Sequence, residues 1–175
     1  TYTVSDGNGG TATATVTVTI ANAPPVAGND SISTPYNTPV SGSVTANDSD
    51  PNGDTLTYAL ATGPSHGSVT VNANGTYTYT PTSGYSGADS FTYSVSDGNG
   101  GTATATVTVT IANATPIAGN DSASTAYNTA LASTVTANDS DPNGDTLTYA
   151  LASGPSHGSV TVNANGTYTY TPTSG

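Results

Sequence analysis

The chain has 175 residues and a formal net charge of −11, because it contains eleven acidic residues, all Asp, and neither Lys nor Arg. Without cations to neutralise phosphate groups, nucleic acid and anionic membrane surfaces are excluded as partners. The absence of Cys excludes disulfide bonds and thiolate metal sites, and no apolar run reaches the length of a membrane span, so we expect no direct membrane insertion.

The sequence repeats itself with a period of 91 residues. Residues 1–84 align with residues 92–175, and only eleven of these 84 pairs differ. A unit of this length is the size of a small domain with a thin core. Because the chain begins and ends within the pattern, we expect it to be part of a longer protein whose targeting segments lie elsewhere.

Alternating apolar and polar residues predict strands throughout the chain, and no segment has helical periodicity. Residues 1–22 contain two strands that end one unit. The complete unit that follows has seven predicted strands, at residues 31–34, 40–46, 56–60, 69–71, 77–79, 91–95 and 103–111. We letter them A to G. Seven short strands in one unit predict an all-β fold of tandem immunoglobulin-like or cadherin-like Greek-key β-sandwiches.

Turn residues separate these strands, and Asn74-Gly75 between two alternating runs is a strong hairpin signal. Segments that contain Pro, at residues 22–26 and 113–117, follow the long final strand of each unit and predict short, stiff linkers. We therefore divide the chain into strands F and G of a preceding repeat (1–22), a complete β-sandwich (23–113), and strands A to E of a following repeat (114–175).

Three segments of the chain resemble a known group of repeats. They are VTANDSDPNGDTLTY at residues 44–58, GADSFTYSVSDGNGG at 87–101 and NAPPVAGND at 22–30. Over its whole length the chain resembles bacterial cadherin-like and VCBS-type tandem repeats. This resemblance implies a very large secreted or surface-bound protein, often an adhesin of biofilm-forming bacteria, in which such units form calcium-dependent extender regions outside the cell.

The positions of the acidic residues also indicate calcium, by a separate argument. In a sandwich of this strand order, the B–C, D–E and F–G loops and the preceding linker meet at one end, which we call the upper pole. Carboxylate and amide oxygens converging there are the ligands that Ca²⁺ prefers. The predicted ligands of the middle unit are Asn22, Asp30, Asp48, Asp50, Asp54 and Asp97, and their counterparts in the third segment are Asn113, Asp121, Asp139, Asp141 and Asp145.

Asp89 is predicted to lie in the E–F loop at the opposite end, the lower pole, which also includes the A–B and C–D loops. From there it would face the next unit across the linker and contribute to an interdomain ion site. The alternative for the acidic B–C loop is turn chemistry alone, since Asp, Asn, Pro and Gly all favour turns. For Asp54 and Asp145, capping the turn explains the residue as well as ion binding does. The loop is not an EF-hand, because it lacks the closing Glu.

The remaining candidates favour structure over chemistry. His66 and His157 occur in turns with no second His or Cys in their unit, so we interpret them as turn residues rather than metal ligands. No nucleophile-elbow sequence is present, and we predict that the chain is not an enzyme. The period-two tyrosines at positions 77, 79 and 93 are predicted to be core. The tyrosines in loops are candidates for contact with surface glycans or a neighbouring chain: Tyr36, Tyr85 and Tyr127.

Three functions fit this sequence. The first is a spacer in a large bacterial surface adhesin, in which calcium stiffens the array of repeats. The second is a structural subunit of an extracellular filament or sheath, in which strands F and G of one copy complete strands A to E of the next. The third and weakest is a carbohydrate-binding module. The expected partners are therefore neighbouring repeats, in the same chain or in identical chains.

Overall fold

A computed structural model of the chain describes residues 1–174, and within them twelve β-strands and no helix occur. Gly175, the last residue of the predicted third segment, lies outside the described residues. The strands are β1 (Tyr2–Ser5), β2 (Thr11–Ala14), β3 (Asp30–Thr34), β4 (Val40–Ser43), β5 (Thr57–Thr62), β6 (Gly67–Val71), β7 (Thr76–Pro81), β8 (Gly87–Ser96), β9 (Thr102–Ile111), β10 (Leu131–Thr134), β11 (Gly158–Val162) and β12 (Thr167–Pro172).

The middle unit is a sandwich of two sheets that contain the seven predicted strands. One sheet has the order β3-β9-β8-β5 and the other the order β4-β7-β6. Strand β3 runs parallel to β9, and every other pair in the two sheets is antiparallel. This is the arrangement of an immunoglobulin-like or cadherin-like Greek-key sandwich, so the predicted fold class is confirmed.

The core lies between the two sheets because alternate side chains of each strand face inward. In β7 the exposed threonines alternate with buried Tyr77 and Tyr79, and in β8 Phe91, Tyr93 and Val95 are buried. The rings of Tyr77 and Phe91 meet edge to face, with centroids 5.2 Å apart. The prediction that these three tyrosines are core residues is therefore confirmed.

The β6–β7 hairpin closes through the predicted Asn-Gly turn. The Gly75 amide donates to the Asn72 carbonyl at 2.9 Å, and the Asn72 amide donates to the Thr76 carbonyl at 2.8 Å. Gly75 has φ of 82°, a left-handed conformation that glycine adopts without steric cost. The turn residues thus fix the register of the hairpin.

The first segment of the chain forms the antiparallel hairpin β1–β2, whose strands are exposed. In the third segment β10, β12 and β11 form one sheet, equivalent to β4-β7-β6 of the middle unit. Residues 122–125 and 147–151, where the repeat predicts strands A and C of the third segment, are not in strands. The equivalent strands β3 and β5 pair with β9 and β8, which have no counterparts in residues 114–174.

Hydrogen bonds and ring contacts show which loops meet at each pole of the middle unit. At the lower pole, the Asn37 side chain of the A–B loop accepts from the Gly84 amide of the E–F loop at 3.1 Å, and His66 of the C–D loop stacks on Tyr85. At the upper pole, the linker is bonded to the B–C loop through the backbone of Val26. The acidic loop and the preceding linker are therefore neighbours, as the strand order requires.

Candidate metal centre

The acidic B–C loop is built by its own side chains. One carboxylate oxygen of Asp50, Oδ1, accepts the backbone amides of Asn52 at 2.9 Å and Asp54 at 3.2 Å. The Gly53 amide donates to the Asp50 carbonyl at 3.2 Å, and Gly53 has φ of 83°. These local bonds are the turn chemistry that the sequence offers as an alternative to ion binding. They leave the second oxygen of Asp50 available for other contacts.

Three carboxylates from two loops meet above this turn. One oxygen each of Asp50, Asp54 and Asp97 lie within 4.8 Å of one another. Asp97 belongs to the F–G loop, where its Oδ1 accepts the backbone amides of Asn99 at 2.8 Å and Gly101 at 2.9 Å. Oxygens on opposite sides of a calcium ion lie about 4.6–5.2 Å apart. The group therefore has the dimensions of a calcium site, and we call it the acidic cluster.

The linker joins the acidic cluster through two amide side chains. Asn22 donates from Nδ2 to Oδ2 of Asp97 at 2.6 Å, so this predicted ligand lies beside the cluster as a hydrogen-bond donor. Asn52 donates from Nδ2 to Asp54 Oδ2 at 2.6 Å and to Asn22 Oδ1 at 3.2 Å, while its own Oδ1 accepts the amide of Ala23. Asn52 thus ties the B–C loop to the linker.

Asp97 stays ionised within the acidic cluster although its side chain is only 4% exposed. Burial opposes the charge, but hydrogen bonds from the Asn22 side chain and from the amides of Asn99 and Gly101 outweigh it. The pKa of Asp97 is consequently lower than its ordinary value. A carboxylate held in its charged form in this way is suited to bind a cation.

The remaining acids of the upper pole form a second group, separate from the acidic cluster. The hydroxyl oxygen of Tyr93 lies 3.1 Å from Asp48 Oδ1, 3.2 Å from Asp30 Oδ2 and 2.8 Å from the Gly28 carbonyl. Asp48 Oδ1 also accepts the Gly28 amide at 2.8 Å. The six predicted ligands of the middle unit therefore occupy two neighbouring groups.

In this second group, burial and neighbouring negative charges disfavour ionisation of Asp30 and Tyr93. Burial, together with the charge of Asp48, raises the pKa of Asp30. Burial also raises the pKa of Tyr93 well above its usual range, and the charges of Asp30 and Asp48 add to the effect. The Tyr93 hydroxyl therefore remains protonated and acts as a donor between two carboxylates.

Two carboxylate oxygens of the upper pole are buried without a hydrogen-bond partner among the described residues, namely Asp48 Oδ2 and Asp50 Oδ2. Leaving a buried acceptor unpaired is unfavourable, and an anionic oxygen is the costliest case. The chain has no Lys or Arg that could pair with them. Of the two, Asp50 Oδ2 belongs to the acidic cluster, whose hard carboxylate oxygens fit a divalent cation such as calcium.

In the third segment the acidic turn repeats, but no third carboxylate joins it within the described residues. Asp141 Oδ1 accepts the amides of Asn143 at 3.0 Å and Asp145 at 3.2 Å. Asp139 accepts the Gly119 amide at 2.8 Å, and Asp121 is exposed. Asn113 donates to the Ala114 carbonyl and accepts from a serine of the middle unit.

Asp89 does not lie in the E–F loop, which corrects its predicted position. It belongs to β8, opposite Val109 of β9, and is 7% exposed. Its carboxylate accepts the amides of Ser65, His66 and Ser90 at 2.9–3.0 Å and the hydroxyl of Tyr79 at 2.8 Å. All four donors belong to its own unit, so the structure does not bring Asp89 to the acidic cluster or to the linker.

Two residues of the upper pole have roles beyond those that the sequence predicts. The sequence predicts Asn52 only as a turn former, although an amide between two aspartates is well placed to join the loop to its surroundings. It predicts Tyr93 only as a core residue, although a buried tyrosine usually directs its hydroxyl to a polar partner. The signal for Tyr93 is its location on β8, four residues before Asp97 at the same pole.

The fold and its acidic pole correspond to a known family. The bacterial Ig domain family matches residues 22–110 and 113–175, and the chain therefore belongs to this family. Domains of this kind are generally extracellular or exposed on the cell surface. No curated protein matches the chain. Residues 1–174 include no helix of the length and apolarity needed to cross a membrane.

Solved structures match the chain at low sequence identity. The protocadherin gammaB7 EC3-6 cis-dimer matches with a TM-score of 0.53 and 15% identity over 87% of this chain and 40% of that chain. Cadherin domains 3–6 of protocadherin gamma B2 match at 0.49 and 15%, over 86% and 39%. An endo-fucoidan hydrolase of glycoside hydrolase family 107 matches at 0.42 and 21%, over 86% and 24%. The chain thus spans less than half of each, and the cadherin-like resemblance of the fold is confirmed.

Proposed function

We propose that this chain is a calcium-stiffened spacer segment of a large bacterial surface adhesin, acting outside the cell and without catalysis. The observation that carries the proposal is the acidic cluster, in which Asp50, Asp54 and Asp97 place oxygens within 4.8 Å of one another. Membership of the bacterial Ig domain family and the near-identical repeats support a role in which each unit adds length. We also propose the division into units at residues 1–22, 23–113 and 114–175.

Calcium suits this site because of the chemistry of the ligands. The cluster offers carboxylates and the neighbouring amide oxygens of Asn22 and Asn52, and it has neither His nor Cys. Three carboxylates without a compensating cation repel one another, and an ion removes that repulsion. Mg²⁺ demands a more rigid octahedral set and keeps more of its water.

The bound ion would join three parts of the unit. Asp50 and Asp54 come from the B–C loop and Asp97 from the F–G loop, while Asn22 holds the linker against Asp97. An ion that binds only the folded arrangement stabilises it by mass action, by about 2.7 kcal/mol at a hundredfold excess over the dissociation constant. The spacer would therefore be rigid in calcium-rich surroundings and more flexible inside a cell, where calcium is scarce.

Calcium titration of the purified chain tests this proposal. We expect the melting temperature of the middle unit to rise with calcium, to fall with a chelator, and to change less with magnesium. Asp97→Asn should weaken calcium affinity by about tenfold, which corresponds to about 1.4 kcal/mol.

Asp6→Asn is the matched control for this variant. Asp6 accepts the amides of Asn8 and Gly10 in the β1–β2 turn, as Asp97 does in the F–G loop, but it is outside the acidic cluster. Its substitution should leave calcium binding unchanged. Equal melting curves with calcium and with chelator would contradict the proposal, as would an equal loss of affinity in both variants.

A second candidate is a structural subunit of an extracellular filament or sheath, assembled head to tail by strand complementation. The observation that favours it is the open face of the β10-β12-β11 sheet, where a groove of about 390 Å³ is lined by Leu131, Val160, Tyr168 and Tyr170. In the middle unit β8 and β9 cover the equivalent face. The β1–β2 hairpin repeats most of the sequence of β8 and β9, so the hairpin of a second copy could cover the open face in their place.

Sedimentation velocity over a range of concentrations, with calcium present, tests this second candidate. Assembly should grow with concentration, and Val18→Asp should abolish it, because the equivalent Val109 is buried in the middle unit. Val18 itself is exposed, so the variant should leave the middle unit folded. A chain that stays monomeric at every concentration would rule out the filament.

A further inference from the structure

The lower pole of the middle unit contacts the acidic turn of the third segment. The hydroxyl of Tyr36, in the A–B loop, donates to the backbone carbonyl of Pro142 at 2.6 Å. Pro142 is the proline of the third segment's B–C loop, between Asp141 and Asn143. The contact therefore crosses from the middle unit to the third segment, and we call the region where these two meet the joint.

A second set of hydrogen bonds crosses the same joint through Ser86 of the E–F loop. Its hydroxyl donates to Oδ1 of Asn113 in the linker at 3.1 Å and accepts from Nδ2 of Asn143 at 3.4 Å. Asn143 in turn accepts the backbone amide of Ala114 at 3.2 Å. The lower pole, the linker and the following B–C loop thus form one hydrogen-bonded network.

The fold holds Tyr36 in position through the turn that carries it. The hydroxyl of Thr34 donates to the Thr38 carbonyl at 2.6 Å, and the hydroxyl of Thr38 donates to the Tyr36 carbonyl at 3.0 Å. Asn37 adopts a left-handed φ of 52° and accepts the Gly84 amide with its side chain. The A–B loop is therefore fixed to the E–F loop, and Tyr36 and Ser86 are presented together.

Side chains at the joint are less exposed than the equivalent side chains elsewhere in the chain. Tyr36 is partly buried, whereas Tyr127, in the same turn of the third segment and also followed by an asparagine at φ 52°, is 78% exposed. Asn143 is partly buried, whereas its counterpart Asn52 is exposed. The turns of Asn52 and Asn143 have the same sequence, so their difference arises where the two units meet. The turns of Tyr36 and Tyr127 also differ in sequence, because the prolines at positions 35 and 39 correspond to alanines at positions 126 and 130.

From these contacts we propose that Tyr36 and Ser86 form a lock that sets the orientation of the next repeat by hydrogen bonds and needs no ion. The inference rests on the proposed spacer function and deepens it by naming the surface that one repeat offers the next. The partner surface is the B–C loop at residues 139–145 with its linker.

The position of Asp89 supports a lock without an ion. It is the only carboxylate between the upper poles of the middle unit and the third segment, and its four hydrogen bonds hold it inside its own unit. No described carboxylate of the lower pole therefore faces the joint. An ion in the acidic cluster would stabilise the unit and linker that bind it, while the lower pole contributes only the uncharged hydroxyls of Tyr36 and Ser86 to the described hydrogen bonds across the joint.

Residual dipolar couplings measured by NMR on the full chain test the lock. In chelator, the β4-β7-β6 and β10-β12-β11 sheets of the unmodified chain should share one alignment. Combined Tyr36→Phe and Ser86→Ala should lower the population of the locked arrangement by about threefold to tenfold, and the third segment's couplings should shrink accordingly. Amide shifts of both sheets show that each remains folded.

Tyr85→Phe is the matched control, because the hydroxyl of Tyr85 donates to the Ala88 carbonyl of its own unit at 2.7 Å. It should leave the relative alignment unchanged. Unchanged couplings in the double variant would overturn the lock, as would loss of the β10-β12-β11 signals in that variant. Melting curves with and without calcium, taken on the same samples, separately report on the acidic cluster, so that either proposal can fail without the other.

Discussion

The middle unit and the third segment carry nearly the same sequence in different surroundings. Val44, Tyr58 and Tyr79 are buried in the middle unit, whereas their counterparts in the third segment are only partly buried. The difference comes from strands β8 and β9, which cover the first set and have no counterpart in residues 114–174. Burial of the inner residues is therefore a property of the completed sandwich and not of the strands that carry them.

The acidic turns differ in the same way. Asp50 and Asp141 accept equivalent pairs of backbone amides, so the turn itself forms in both units from local sequence. Within residues 1–174, only the middle unit adds the third carboxylate, from Asp97 in the loop between β8 and β9. One hairpin thus completes both the core and the acidic cluster, which couples the stability of the unit to its candidate metal site.

The largest expected effect comes from removing a core side chain from that hairpin. Ile111→Ala should lower the free energy of unfolding of the middle unit by about 2–5 kcal/mol, because Ile111 is 2% exposed. The matched substitution is Ile20→Ala, at the equivalent position before the linker, where the side chain is 89% exposed. It should change stability by no more than about 0.5 kcal/mol. Equal losses in the two variants, measured by urea unfolding, would contradict the comparison.

A smaller effect is expected at Asp89, whose carboxylate is buried in the middle unit. Burial opposes its ionisation, but bonds from Tyr79, Ser90, His66 and Ser65 outweigh it and lower its pKa. Its contribution to stability is therefore complete above the unfolded pKa of about 3.9 and is lost as the pH falls through the lower native value.

Asp89→Asn should accordingly destabilise the middle unit by about 1–3 kcal/mol at neutral pH and flatten its loss of stability in acid. Asp145→Asn, at an exposed carboxylate of the third segment, is the control. Unfolding free energies measured from neutral pH to well below the unfolded pKa of about 3.9 would show the difference. A variant with the unmodified acid profile would show that Asp89 does not contribute through its charge.

The smallest expected effect concerns the ring contact at the lower pole. His66 stacks on Tyr85 with ring centroids 3.9 Å apart and planes at 2°. His66→Ala should cost about 0.5–1.5 kcal/mol. Residues 114–174 contain no counterpart of Tyr85 for the equivalent His157 to stack on, so His157→Ala should cost less than about 0.5 kcal/mol. Thermal unfolding of both variants checks this difference. A greater loss of stability in His157→Ala than in His66→Ala would contradict the prediction.

Much of the fold could be predicted because its signals are short-range. Period-two alternation predicts six of the seven strands of the middle unit and the inward tyrosines, and Asn74-Gly75 predicts the β6–β7 turn. The error at Asp89 came from starting the sixth strand at Phe91, whereas β8 begins at Gly87. Asp89 is in phase with Phe91 and Tyr93, so the alternation extended by one step already directs it inward.

The repeat, the strands, the turns and the lack of any Lys or Arg to compensate the aspartates all follow from the order of the amino acids. Three features depend on long-range packing: the acids of the upper pole form two groups, Tyr93 joins one of them, and Tyr36 and Ser86 face the next repeat. Alternation and turn bonds involve residues a few positions apart. Which distant side chains meet depends on sheet pairing and on how one unit docks against the next, and local sequence does not encode either.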